Sequence, residues 1–324
     1  MKRLAILDDY QDVVRTLPYW APLAGRIEIQ AFTDSCPTED ALAARLAAFE
    51  AAVVIRERSR FTGSLLARLP KLEHIAMTGR NTGHVDLAAA TARGVLVTST
   101  AGSGAAAVEH SMAMLLAVVR HIPQEDRRMR EGRWQTTVGT ELQGKTLGVV
   151  GFGRIGSRIA AFGNLLGMRV LAWSRSLTDE KAAAAKVTRA TLDEIFAQSD
   201  VASVHLSLNA DTRGIVTARH LGLMKPTAFL VNTARGPLLD EGALVKVLQE
   251  RRIAGAALDV FHEEPLPKSH PLLALDNVVL TPHLGYVTLD NYHEFFRQAA
   301  ENVSTWLDGK APQRALNPEV LSRR

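Results

Sequence analysis

Six residues constrain this chain more than any others: Gly151-Phe152-Gly153-Arg154-Ile155-Gly156. They form a G-x-G-x-x-G that directly follows the apolar run T-L-G-V-V and opens an amphipathic helical pattern. A glycine-rich hexapeptide alone is weak, because such strings arise by chance. Between a strand and a helix each glycine has a physical task. The first permits a tight turn, the second lets backbone approach a pyrophosphate, and the third lets helix and strand pack closely. The helix N-terminus then faces the negative charge. An ordinary strand–turn–helix with incidental glycines is the competing reading, and the flanks favour the dinucleotide.

The rest of the chain repeats that alternation. Strand candidates in the first hundred residues are 4–7, 27–31, 52–55, 74–77 and 95–97, with helical patterns at 39–49, 64–69 and 86–93. Residues 98–104 (T-S-T-A-G-S-G) are small and read as a hinge before a long apolar helix, 105–120. A second series follows: strands 147–150, 169–173, 201–208, 228–232, 255–260 and 278–281, with helices 154–166 and 241–250. After Pro282 one helical stretch, 289–307, closes the chain. Strand–helix alternation of this kind predicts parallel sheets covered on both faces. At 324 residues the chain exceeds one ordinary core, so two doubly wound α/β domains joined by two crossings are expected.

The strand after the glycine turn should end in an acid that bonds the adenosine ribose. It ends instead in Trp173-Ser174-Arg175-Ser176, with Ser174 23 residues past Gly151 (174 − 151) and no carboxylate before Asp179. An arginine in place of the acid suits a 2′-phosphate, and so NADP. Arg175 stacking on adenine, with NAD in use, is the alternative.

Other chemistries fit less well. Cys36 is the only cysteine, which rules out an intrachain disulfide or a cysteine-based zinc site, and no metal is expected. Net charge is +4, and the densest basic stretch (Arg127, Arg128, Arg130, Arg133) is broken by Glu125, Asp126 and Glu131. That pattern reads as a solvated helix face and not as a nucleic-acid surface. No apolar run approaches the roughly 20 residues that span a bilayer. The N-terminal run meets Asp8 and Asp9 too early for a secretory leader, so a cytoplasmic location is expected.

Several blocks now coincide: V-G-F-G-R-I-G (150–156), H-L-S-L-N-A-D-T-R-G (205–214), M-K-P-T-A-F-L-V-N-T-A-R-G (224–236), G-A-A-L-D-V-F-H-E-E-P (255–265) and T-P-H-L-G (281–285). In order and spacing the chain resembles the D-isomer-specific 2-hydroxyacid dehydrogenase family, among them phosphoglycerate and glyoxylate-hydroxypyruvate reductase types. The resemblance implies a flavodoxin-like substrate domain, 1–100 plus 287–324, into which an NAD(P)-binding Rossmann domain, 101–286, is inserted. It also implies a homodimer. Arg235 falls on the family's substrate-binding arginine, Glu264 on its acid before proline, and His283 on its histidine after T-P. Asp259 falls where the family bonds the nicotinamide carboxamide, Thr233 is expected at the cofactor site, and His205 either lines the cofactor crevice or simply packs. The residue types suit the reaction. Histidine can protonate a carbonyl oxygen, a neighbouring carboxylate holds its ring, and arginine offers a rigid fork to a carboxylate. Singly, each has a duller reading: a surface histidine, a loop acid, a capping charge.

The substrate's own contacts are expected from Arg80, Asn81, Thr82 and Gly83, which follow the strand at 74–77 and so face a cleft between the domains. In the resembled family a glycine-rich loop here offers backbone N–H groups to the substrate carboxylate. This copy is shorter than the commoner G-x-G-x-D-N-[IV]-D. Arg56 could reach the same place or sit in a surface ion pair. The expected activity is hydride transfer between NAD(P)(H) and the alpha carbon of a small 2-hydroxy or 2-keto acid. A nucleotide-sensing, corepressor-like binding protein is the alternative, as is a dehydrogenase of another small donor such as phosphite. Formate-type relatives would carry glutamine at position 264.

Overall fold

A computed structural model describes residues 1–323. The chain separates into two compact units, Met1–Ser103 with Thr288–Arg324, and Gly104–Val287. In the first unit β1 (Lys2–Leu7), β2 (Ile27–Ala31), α1 (Glu39–Leu46), β3 (Ala51–Val54), α2 (Gly63–Ala67), β4 (His74–Met77), α3 (Leu87–Ala92) and β5 (Leu96–Thr98) follow in order. Their five strands pair in parallel as β2-β1-β3-β4-β5. This is the flavodoxin-like order, whose direction reverses between β1 and β3. Every residue of β3 and β4 is buried, as expected of central strands covered on both faces. Thr38, Thr62 and Asp86 each cap a helix with a side-chain oxygen.

The second unit holds α4 (Ala105–Val119), α5 (Ile122–Arg130), β6 (Thr146–Val150), α6 (Arg154–Leu165), β7 (Arg169–Trp173), α7 (Asp179–Ala184), β8 (Thr188–Arg189), α8 (Leu192–Gln198), β9 (Val201–Val204), α9 (Ala218–Leu223), β10 (Phe229–Asn232), α10 (Glu241–Gln249), β11 (Gly255–Leu258) and β12 (Val278–Leu280). Its seven strands run β12-β11-β10-β9-β6-β7-β8, with the reversal between β6 and β9. Two apolar layers bury the sheet, one around Phe196, Leu230 and Leu248, the other around Leu115, Val149 and Ile159.

Some expected boundaries move. The strand expected at 201–208 stops at Val204, because its neighbours β6 and β10 end opposite it at Val150 and Asn232. The helix expected at 39–49 stops at Leu46, and Phe49 turns inward to be buried against Phe32. The strands expected at 52–55 and 95–97 each shift by one residue, to the register their neighbours impose. Beyond the helix expected at the end, Asn317 bonds back to Val95 and Val97, and a short 3-10 helix follows.

The chain returns to the first unit as α11 (Leu289–Leu307). One face of this helix carries three amides that hold the backbone just before the second unit begins. Asn302 donates to Ser99 O (3.1 Å), Gln298 accepts from Ala101 N (2.8 Å) and Asn291 accepts from Ser103 N (3.1 Å). Among the described residues no single helix is long and apolar enough to cross a membrane.

Candidate functional site

Ligands in open α/β sheets bind beyond the carboxyl ends of the strands, and the candidate residues of the second unit follow those ends. After β6, Gly151 adopts φ +101°, and a Cβ there would lie 2.7 Å from the carbonyl carbon of His205. A Cβ on Gly156 would lie 1.9 Å from Gly151 O, so only glycine lets the helix start so close to its strand. A Cβ on Gly153 would meet nothing within 4 Å. Gly153 also caps α6 without a side-chain bond. The first N–H groups of α6, from Arg154 and Ile155, therefore border open space, with Phe152 beside them half-buried. This cradle fits a dinucleotide pyrophosphate.

After β7, the Ser174 hydroxyl is buried without a hydrogen-bond partner, an orphan that suits a ribose or its phosphate. Arg175 is exposed, and its Nη1 donates to Asp211 Oδ2 at 2.7 Å. A carboxylate is thus beside Arg175 after all, supplied from the loop after β9 and not from the strand's own sequence.

His205 follows β9, and its Nε2 lies 2.8 Å from the Ser203 hydroxyl. Burial pushes the ring's pKa down to about 4, so the imidazole is neutral near pH 7. An unfolded histidine titrates near ~6.5. Stability from this residue is therefore constant above that value. It falls between pH ~6.5 and ~4, where only the unfolded chain takes up the proton, by roughly 3 kcal/mol. His205→Gln should flatten that part of the acid limb in urea unfolding at pH 7, 5.5 and 4.5. Parallel wild-type and mutant curves would refute it.

After β10, fully buried Asn232 shapes a turn by accepting from Ala234 N (3.0 Å) and donating to Arg235 O (3.0 Å). Arg235 Nη1 donates to Ala234 O at 2.6 Å. A Cβ on Gly236 would sit 2.0 Å from the carbonyl carbon of Phe261, so this turn lies directly against the loop after β11. Thr233 shares a hydrogen bond of 2.6 Å with Ser111 of α4.

That next loop carries Glu264, followed by a cis Pro265. Glu264 Oε1 accepts from Phe261 N (2.8 Å), and Oε2 meets His283 Nδ1 at 2.6 Å. A carboxylate partner assigns the proton to Nδ1 and leaves Nε2 without a hydrogen-bond partner among the described residues. His283 has φ +54°, the left-handed region that side chains disfavour. Asp259 holds it there: its carbonyl accepts from His283 N (2.8 Å), Oδ1 from Leu284 N (2.7 Å) and Oδ2 from Gly285 N (2.9 Å). Asp259 is fully buried. Burial by itself would raise its pKa. Hydrogen bonds from His110 and Thr281, the His110 charge and the Leu284 N–H outweigh that and hold the carboxyl below its usual range. Asp259 was expected at the nicotinamide, and its side-chain oxygens here already serve its own chain. The tyrosine Tyr286 packs edge-on to the His283 ring, centroids 5.5 Å apart.

In the first unit Arg80, Asn81, Thr82 and Gly83 do follow β4. The Gly83 N–H, expected as a donor to substrate, is taken by Asn81 Oδ1 at 3.1 Å, while Asn81 Nδ2 donates to Glu57 Oε1 at 2.6 Å. Gly79 N donates to Thr100 Oγ1 at 2.8 Å, and Arg56 Nη1 lies over the Gly79 Cα where a Cβ would project. Sequence reasoning missed His110, Ser111 and Asp211. Each is a polar residue whose partner is distant in the chain, and a polar pair inside the apolar helix 105–119 was the one available signal for the first two.

Residues 112–285 match the profile of the D-isomer specific 2-hydroxyacid dehydrogenase, NAD binding domain. The chain is 40% identical over 275 residues to a glyoxylate reductase of Aeropyrum pernix, covering 82% of each. It is 36% identical over 280 residues to a D-3-phosphoglycerate dehydrogenase of Synechocystis, covering 84% of this chain and 50% of that longer one. The crystal structure of a phosphoglycerate oxidoreductase from Vibrio cholerae O395 superposes with a TM-score of 0.91 at 43% identity, covering 95% of this chain and 99% of that one. With more than half of its length under the family profile and relatives at this identity, the chain belongs to the D-isomer-specific 2-hydroxyacid dehydrogenase family.

Proposed function

We propose that this dehydrogenase interconverts a small 2-keto acid and its 2-hydroxy acid, with His283, Glu264 and Arg235 as its reacting set. The observation that carries this reading is the His283–Glu264 bond of 2.6 Å, which leaves Nε2 as the free end of a held ring. In reduction Nε2 gives its proton to the carbonyl oxygen, and in oxidation it takes the proton from the hydroxyl. Glu264 steadies the charged ring, and Arg235 grips the substrate's carboxylate and the oxygen where charge accumulates. The bound nicotinamide supplies or accepts the hydride. Arg80, Asn81 and Thr82 are proposed as further substrate contacts, through backbone N–H groups. A panel of small 2-keto acids with NADH and NADPH, followed at the nicotinamide absorbance band, tests the reading. A wild type that oxidises neither cofactor with any acid ends it. The binding-protein and phosphite readings have no observation of their own.

The cofactor would lie along Gly151 to Gly156, with Thr233, His205 and Asp259 near its nicotinamide half and Ser174 and Arg175 near its ribose. The orphaned Ser174 hydroxyl and the exposed Arg175 support NADP, whereas Asp211 opposes it by competing for Arg175. Arg175→Ala should weaken NADPH binding about tenfold and leave NADH unchanged, because one charge-assisted bond is lost. Asp211→Asn should move NADPH the other way. Fluorescence titration of both cofactors reads the outcome, and equal NADH and NADPH affinities in all three proteins would remove the NADP preference.

A homodimer is part of the same proposal. The segment after α5 is strapped to that helix through Glu125, which accepts from Thr136 N (3.0 Å) and the Thr137 hydroxyl (2.9 Å). Yet it exposes Trp134 (74%) and Val138 (93%), and α5 itself exposes Ile122 and Met129. A fixed apolar surface of this kind suits a second copy. Trp134→Ala with Val138→Asp should halve the mass seen by light scattering. A wild type already at the 35.2 kDa of one chain would end the dimer reading. A cytoplasmic location goes with this proposal, supported by the single, unpaired Cys36.

A further inference from the structure

We propose that His110 is a positioning residue for the His283 imidazole, acting from α4 through Asp259 and Thr281. Its Nε2 lies 3.1 Å from the Thr281 hydroxyl and 3.1 Å from Asp259 Oδ1. The Thr281 hydroxyl gives its one proton to Asp259 Oδ1 at 2.6 Å. The oxygen of Thr281 is then an acceptor, and both neighbours of His110 call for a proton on Nε2. His110 therefore donates to Oδ1, the same carboxylate oxygen that accepts from Leu284 N in the 281–285 turn.

Three linked facts make this more than a fold contact. His283 stands in a left-handed backbone conformation, which costs of the order of 1 kcal/mol or more and persists only where its surroundings enforce it. The enforcing group is Asp259, through its carbonyl to His283 N and its carboxylate to Leu284 N and Gly285 N. Asp259 is itself fully buried, so its ability to stay charged and fixed depends on the donors around it. His110 is the side chain among those donors that can carry a positive charge. The next residue, Ser111, bonds Thr233 at the end of β10. One turn of α4 thus registers two of the loops that bear the reacting set.

This inference rests on the reading of His283 as the proton donor, and the experiment separates the two. Full-length wild type, His110→Phe (ring volume kept, donor removed) and His110→Gln (an amide N–H near the Nε2 position) are compared. The readouts are kcat and KM for keto-acid reduction, Kd for the cofactor, and the ring resonances of isotopically labelled histidine, with His283 assigned from its own variant. The Phe variant should lose about tenfold or more in kcat, with KM and cofactor Kd within about twofold. Its His283 resonances should shift or broaden, and the Gln variant should recover most of both. Wild-type kcat and unmoved His283 resonances in folded His110→Phe would overturn the proposal, as would a loss expressed only in cofactor Kd. If the Phe variant does not fold, His110→Asn, whose amide falls short of Thr281, is read by the same criteria. If the wild type reduces no keto acid, the functional reading fails while the resonances still judge His110.

Discussion

Arg235→Ala lowers kcat/KM for keto-acid reduction by about 10³-fold. A substrate anion whose partner is truncated forfeits both Coulomb attraction and a fixed pair of donors, and the oxygen that gains charge in the transition state loses its stabiliser. The turn should survive, because Asn232 builds it by bonding the backbone of residues 234 and 235. Arg235→Lys should recover little, since an ammonium cannot reproduce the planar fork. Steady-state kinetics together with cofactor titration decide the matter. A loss appearing only as weaker cofactor binding would reassign the arginine to the nucleotide.

His283→Ala should cost about 10²–10⁴-fold in kcat, the usual range for removal of a general acid. Glu264→Gln is the gentler companion. Its amide oxygen can still accept from Nδ1, but the charge that steadies a protonated ring is gone, so a loss of about tenfold to a hundredfold is expected. Because Glu264 and His283 act as one unit, the double variant should be hardly slower than His283→Ala alone. Measured kcat values that multiply instead would mean that the 2.6 Å bond between them plays no part in the reaction.

Much of the architecture could be read before any coordinates. Central strands such as 52–55 (A-V-V-I) are continuous apolar runs, and local composition suffices to find them. The glycine turn after β6 was legible for the same reason, since its spacing encodes a backbone path. Short helices were harder. α8 has a full capping box in Thr191 and Glu194, a local signal that was present and went unread, whereas β8 spans only two exposed residues and offered almost none. Residue identities at the reacting set were legible through motif blocks, but their supports were not. Asp259 and His110 are 149 positions apart (259 − 110), and no local pattern tells that their side chains meet. Asp211 was invisible as a partner of Arg175 for the same reason, and it alters the charge on which the NADP reading rests.

The amide lacing along α11 has a consequence for how such a protein can be assembled from parts. Ser103 N and Asn291 Oδ1 are 3.1 Å apart, so the chain leaves the first unit and re-enters it at a single seam. A linker joining two points that one side chain bridges would be short, and closing a short loop costs a chain little entropy. Residues 104–287 therefore behave topologically as a cassette. A gene could lose that stretch, or exchange it for another module with neighbouring ends, and the five-stranded sheet would keep its strand order and its closing helix without rerouting a single connection.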